Sequence, residues 1–203
     1  IGSYDEHMLG AAKRETLTVK EHTFEVTHVR LKNVSTSKHF IAWCAANRVV
    51  VQEGIAGKIP GLHGKIHEGV SEFFYACYVS SQFLDQSVRP ERIGFDIEES
   101  SDPSDIFAAQ YLTMDDIKQN IIASVSKHLG EYLARNKAQG RERAESYVAR
   151  KAPKYRPVLA RLMSDPAFDV DPNISDKDLG LLLHKHLSEL ESSLLSEGHE
   201  VMQ

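Results

Sequence analysis

Cysteine is almost missing from this chain of 203 residues, which holds only Cys44 and Cys77. Both sit in apolar strand-like runs, FIAWC and FFYACYV, where a free thiol behaves as a small buried hydrophobe. A disulfide-built secreted scaffold does not fit this usage, and a reducing, cytoplasmic compartment does. Long apolar runs are missing too. None approaches the roughly 20 residues that cross a bilayer, so no membrane partner is expected. The opening IGSYDEHMLG has neither the basic flank nor the apolar core of a signal peptide. Because it also lacks an initiating methionine, the chain is read as an internal piece of a longer polypeptide. No His, Cys or carboxylate cluster has zinc or calcium spacing, so no metal site is expected. No nucleophile-elbow motif announces a hydrolase.

What is present is an ordinary globular composition, 41% hydrophobic, sufficient to bury a core. The net charge of −5 hides an asymmetry. Residues 127 to 161 carry ten Lys and Arg against three Glu, an excess of +7, so the remainder holds −12.

The chain changes period once. From about residue 16 to 97 it reads as strands and turns. TFEVTHVRLKN alternates with a phase change near His28, which predicts a bulge or an edge crossing. FIAWC and VVV bracket AANR, the polar break of a tight turn or strand kink, and FFYACYV is apolar without alternation, as in a strand covered on both faces. Gly54, Gly57, Gly61, Gly64 and Gly69 mark a loop-rich stretch. EESSDPSD, at 98 to 105, is the candidate boundary between a domain at 1–100 and a helical region at 105–203. Beyond it Thr113 and Asp116 form a capping-box pattern, and Ile117, Ile121, Val125, Leu129 and Leu133 line one face of a long helix interrupted near Gly140. A second helix runs through APKYRPVLARLMSD. The third starts at Ser175 and carries Leu179, Leu182, Leu183, Leu187, Leu190 and Leu194. Strands first and helices after give an α+β class.

Three motifs invite chemistry. GIAGKIPGLHGK suggests a phosphate cradle or a nucleotide clamp, but its spacing matches neither the Walker nor the dinucleotide pattern, and it reads as an irregular surface loop. His184 and His186 are two apart on a helix, a spacing that separates them in direction. The basic stretch suits phosphate backbones through Arg141, Arg143, Arg150 and Lys151, yet it lacks interleaved aromatics, and a solvated helix face is the plainer reading. LDQSVRPERIGFDI, at 84 to 97, sets Arg89 and Arg92 around Pro90 in what reads as a turn between two strands. A rigid turn can aim a guanidinium, whose planar fork binds phosphate oxygens in pairs, although solvating a hairpin is the plain alternative.

HFIAWCAANRVV followed by FFYACYVSSQFLDQSVRPERIGFDI resembles the second, transducer domain of the GHKL ATPases. That superfamily includes DNA gyrase B subunits, mismatch-repair MutL proteins, the ninety-kilodalton heat-shock chaperone and sensor histidine kinases. AANRVV is similar to a MutL strand ending in VN.R, and VRPERIGF to its VHPxKxEVRF turn. The pattern is closest to that of bacterial proteins with an Hsp-type ATPase domain, in which a YVSG-like strand, an LD step and an ER-x-x-F turn recur. The resemblance spans about residues 20 to 97. It implies a mixed-sheet transducer domain, similar to ribosomal-protein domain 2, followed by a helical region. Arg92 falls where the MutL lysine lies and would reach the γ-phosphate of ATP in the neighbouring domain, and Arg89 falls at the MutL histidine position. The family's Glu/Asn helix, DxGxG loop and second glycine-rich lid are not matched here. ATP and magnesium are therefore expected only through an upstream ATP-binding domain, with this piece inactive alone and the full-length protein an ATPase. The implied partners are that domain, a second subunit through the leucine-rich last helix, or nucleic acid. The rival expectation is a stand-alone module that grips nucleic acid through the basic helices of 127–161.

Overall fold

The computed structural model describes residues 12–32, 38–68, 71–101 and 111–200, with side chains to 193. The N-terminal stretch, residues 33–37, Gly69, residues 102–105 of the polar break and the Leu194 side chain lie outside the described residues. The chain divides into two compact units, Ile1–Gly130 and Glu131–Gln203. The class is α+β: a six-stranded mixed sheet, then helices.

The first unit is organised around one strand. β1 (Lys13–Val19), β2 (His22–Leu31), β3 (Phe40–Ala45), β4 (Arg48–Gly54), β5 (Ile66–Glu68) and β6 (Ser71–Ser80) assemble in the order β1-β2-β6-β3-β4, with β5 also on β6. All pairings are antiparallel except β3 with β6. As the non-alternating FFYACYV pattern requires, β6 is buried on both faces: Phe73, Tyr75, Cys77 and Val79 on one, Phe74 and Ala76 on the other. The expected bulge near His28 does not form, since β2 keeps an unbroken register with both neighbours. Its change of phase has another cause. Phe24, Val26 and His28 are buried on one face, and Val29 and Leu31 join Phe40, Ala42 and Ala76 in a cluster on the second. The bulge lies instead between Trp43 and Cys44, opposite β4. AANR is the tight turn of the β3–β4 hairpin, with Ala46 and Asn47 both at positive φ, 48° and 61°.

Two helices cover the Tyr75 face. α1 (Gln82–Ser87) starts at Ser81, whose hydroxyl accepts the Leu84 N–H at 3.0 Å. α2 (Met114–His128) carries the full capping box, Thr113 Oγ1 accepting from Asp116 N–H at 3.2 Å and Asp116 Oδ2 accepting from Thr113 N–H at 3.1 Å. Ile117, Ile121 and Val125 are fully buried, each contributing about 1.5–3 kcal/mol relative to exposure. So the helix after the polar break belongs with the sheet, and the compact units part at Gly130.

The second unit comprises α3 (Gly130–Arg150), a 3₁₀ turn at Pro153–Tyr155, α4 (Arg156–Ser164) and α5 (Asp176–Glu200). The interruption expected near Gly140 falls at Leu129–Gly130 instead. Gly140 is an interior residue of α3 with a packing role: a Cβ there would stand 1.9 Å from the Val170 carbonyl oxygen. Ala144, Val148, Val158, Leu159, Phe168, Val170, Leu179 and Leu183 form this unit's core, and Leu182, Leu187 and Leu190 pack on it partly buried. In an exposed helix, Gly→Ala gains about 1 kcal/mol. Here the sign should reverse. Gly140→Ala is expected to cost about 2–4 kcal/mol by forcing the 168–170 segment off the helix, measurable as a lower urea midpoint. A stabilised Gly140→Ala protein would show that this approach is not tight in solution.

Candidate functional site

The arginine stretch is built by a helix and a loop rather than by two strands. After α1, Val88 bridges to Phe95 and the Ser87 carbonyl accepts from Asp96 N–H at 2.7 Å. Inside that closure, Arg92 N–H donates to the Arg89 carbonyl at 2.8 Å, and Arg89 N–H to the Gly94 carbonyl at 3.0 Å. Pro90 sits second in the four-residue turn Arg89–Arg92, where its locked φ suits the geometry. Arg92 takes φ 55°, while Gly94 does not enter the left-handed region. Arg89 and Arg92 are both exposed, and Ile93 is 74% exposed. Asp85 of α1 accepts the Ala46 N–H at 2.7 Å, tying the base of the loop to the β3–β4 turn.

Arg89, but not Arg92, lines a groove of about 210 Å³ with Trp43, Glu53, Phe95, Met114 and Lys118. Burial would raise the Glu53 carboxyl, but hydrogen bonds from Lys58 and Trp43 and the Lys118 charge outweigh it, so Glu53 stays below the usual carboxylate range. Burial would lower Lys118, yet Glu99 at 3.0 Å and Glu53 at 3.9 Å hold its ammonium above the usual value. Met114 and Asp115 N–H groups donate to the Glu98 and Glu99 carbonyls, each at 2.9 Å. The segment leaving the arginine loop is thereby bonded to the first turn of α2.

Of Arg141, Arg143, Arg150 and Lys151, three are committed inside their own unit. Arg141 donates to the carbonyls of Met163 at 2.9 Å, Asp165 at 2.6 Å and Phe168 at 3.3 Å. Arg143 pairs with Asp176 at 2.5 Å and donates to the Ile174 carbonyl at 3.2 Å. Lys151 pairs with the same carboxylate, and these two cations hold Asp176 below the usual range. Arg150 is exposed. A guanidinium that satisfies three loop carbonyls is structural, because removing it leaves those acceptors unpaired. Arg141→Ala is expected to destabilise the chain by about 2–3 kcal/mol, read from its urea midpoint, whereas Arg150→Ala should leave it within about 0.5 kcal/mol. Equal, negligible effects would return Arg141 to the surface reading.

The glycine-rich loop is likewise occupied. Lys58 pairs with Glu53 and Lys65 with Glu72, and Gly57, Gly61 and Gly64 supply positive φ at turns. Ile55, Ile59 and Leu62 are buried. His184 lies exposed on α5, and His186 pairs with Glu189 at 3.2 Å. Among the described residues, no group of three or more His, Cys, Asp or Glu could hold a metal ion.

One polar cluster carried no signal in the sequence. His28, 2% exposed, shares a 2.5 Å hydrogen bond with the Tyr75 hydroxyl and lies 3.2 Å from Glu15. His128, the last residue of α2, stacks on it at 4.1 Å and 10°, and Ser124 donates to Glu15. Only the pairing of β1, β2 and β6 under α2 brings these residues together. Burial pushes the Tyr75 phenol up, and it pushes the thiols of Cys77 and Cys44 up to about 12 and about 11, which disfavours the thiolate at both. Burial also lowers both imidazoles. For His128 the neighbouring His28, Lys13 and Arg30 add to the effect and bring it down to about 4.

Comparison with family models, with curated proteins and with solved structures returns no match in any of the three.

A histidine whose folded value is lowered stabilises the fold fully above its unfolded value of about 6.5, and loses that contribution as pH falls toward the folded one. Stability is therefore expected to hold above pH 6.5 and to decline between there and about pH 4. The decline should be about 1–2 kcal/mol after allowance for the partial exposure of His128. In His128→Phe the decline should shrink. An unchanged pH profile in that variant would place the acid sensitivity elsewhere.

Proposed function

We propose that the chain is the phosphate-sensing part of a GHKL-type ATPase. In this reading its sheet unit presents Arg92 to the γ-phosphate of ATP, which an upstream domain holds with magnesium, and its helical unit carries the resulting motion onward. The observation that carries this reading is the conformation of Arg92. A non-glycine residue at φ 55° costs about 1–2 kcal/mol that glycine would not. Here that residue is an exposed arginine on a loop closed by the two backbone hydrogen bonds that make the Val88–Phe95 bridge. Strain kept at an exposed cation is a reason to look for its ligand. Arginine is suited to charge developing on a transferring phosphoryl group, because its guanidinium stays charged and bonds oxygen atoms in pairs. The link from the loop through Glu98 and Glu99 to α2 offers a route by which occupancy at the loop could be felt in the rest of the unit.

The test is ATP turnover by the full-length protein encoded by the same reading frame. Arg92→Ala is expected to slow it about 100-fold or more while leaving the unfolding midpoint within about 0.5 kcal/mol. Arg92→Gly should lose the same activity yet raise stability by about 1 kcal/mol, separating the side chain from the strain. Unchanged turnover in both variants would remove this assignment.

A further inference from the structure

His39 holds both ends of the glycine-rich loop to the sheet. Its carbonyl accepts the Ile55 N–H at 3.1 Å, where the chain leaves β4, and its ring Nε2 bonds to the Gly64 carbonyl, two residues before β5. The other ring nitrogen, Nδ1, accepts the Tyr75 backbone N–H at 2.9 Å. On β6, Tyr75 lies between the residues paired with β5 and those paired with β3, so the imidazole takes the place of a strand acceptor there. A backbone N–H only donates and a carbonyl only accepts. The ring is therefore neutral, with its proton on Nε2.

We propose that His39 is an acid-released clasp, closed over residues 55–65 while the imidazole is neutral and opened when it gains a second proton. The added hydrogen would sit on Nδ1 facing the Tyr75 N–H, two donors with no acceptor between them. Among the described residues packed around the ring, none offers an unpaired carboxylate to that charge. Phe74 lies against it at 5.4 Å between ring centres, and Lys65 sits over the same phenyl ring. On the loop, Lys58 is paired with Glu53. Glu72 of β6 is paired with Lys65 and His67, and Lys38 and His63 carry no negative charge. Burial holds the imidazole below its usual range, in keeping with this bonding. Since the neutral form is the one the closed loop binds, closure is complete above the open-loop value of about 6.5 and weakens as pH falls below it. Release would uncover Ile55, Ile59 and Leu62, three apolar side chains buried at neutral pH. They would form a surface available only in acid.

Amide exchange on this chain tests the clasp. The Lys58 and Leu62 N–H groups, bonded to the Ile55 and Ile59 carbonyls at 3.1 Å, report on the loop, and the β2–β6 ladder serves as reference. Between about pH 7.5 and 5, protection of the two loop amides relative to the ladder is expected to fall by about tenfold, the order of magnitude for linkage to a single proton. His39→Gln offers a donor and an acceptor without titrating, and should keep the ratio constant. Ring nitrogen shifts of the wild-type protein should show the Nε2–H form at neutral pH. Constant loop protection in the wild type, an equal fall in His39→Gln, or an Nδ1–H ring would each overturn the clasp.

Discussion

Burial of β6 on both faces is the constraint from which the first unit follows. A strand with Tyr75, Cys77 and Val79 on one side and Phe74 and Ala76 on the other has no face for water, so all of its backbone groups need partners inside the protein. β2 supplies them along one edge, β3 and β5 supply others, and the one N–H that falls between β3 and β5 is met by the His39 ring. Covering the Tyr75 face falls to α1 and α2. Because Tyr75 brings a hydroxyl into that layer, His28, Glu15 and Ser124 form a polar patch within an otherwise apolar contact.

Charge is handled differently in the two units. In the helical unit Arg141, Arg143 and Lys151 bond to the chain's own carbonyls and to Asp176, where they close the connections between α3, α4 and α5, while Arg150, Lys154, Arg156 and Arg161 are exposed. Three of the four residues that composition offers to nucleic acid are thereby engaged. In the sheet unit Lys58 and Lys118 are neutralised around Glu53, while Arg89 and Arg92 remain exposed on a stiff loop.

Much of the local structure was legible along the chain. FFYACYV announced a strand without a wet face, AANR a break between two strands, and Thr113 with Asp116 the start of α2. Ser175 with Asp178 opened α5, their hydroxyl and amide lying 3.1 Å apart. Each of these depends on neighbours a few residues away, through side-chain period or a cap, and so is written in short windows. Pro90 likewise marked the arginine turn. That Arg92 and not Gly94 would take the left-handed conformation was not legible, because it is imposed by closure of the loop through Val88 and Phe95.

The remaining features were decided by tertiary structure alone. Gly140 read as a helix break because glycine is a poor helix former, yet it is kept inside α3 by the approach of Val170, thirty positions away. The phase change at His28 read as a bulge or an edge crossing, but with the second face of the sheet also covered, an unbroken strand can bury consecutive residues. His39 and His28 looked like any strand histidines, since a hydrogen bond to Tyr75, 36 or 47 residues distant, leaves no trace in the residues beside them. Local periodicity and capping therefore determined the elements, whereas partners far apart in sequence determined which charges are spent, which glycines are packed and which histidines must stay neutral.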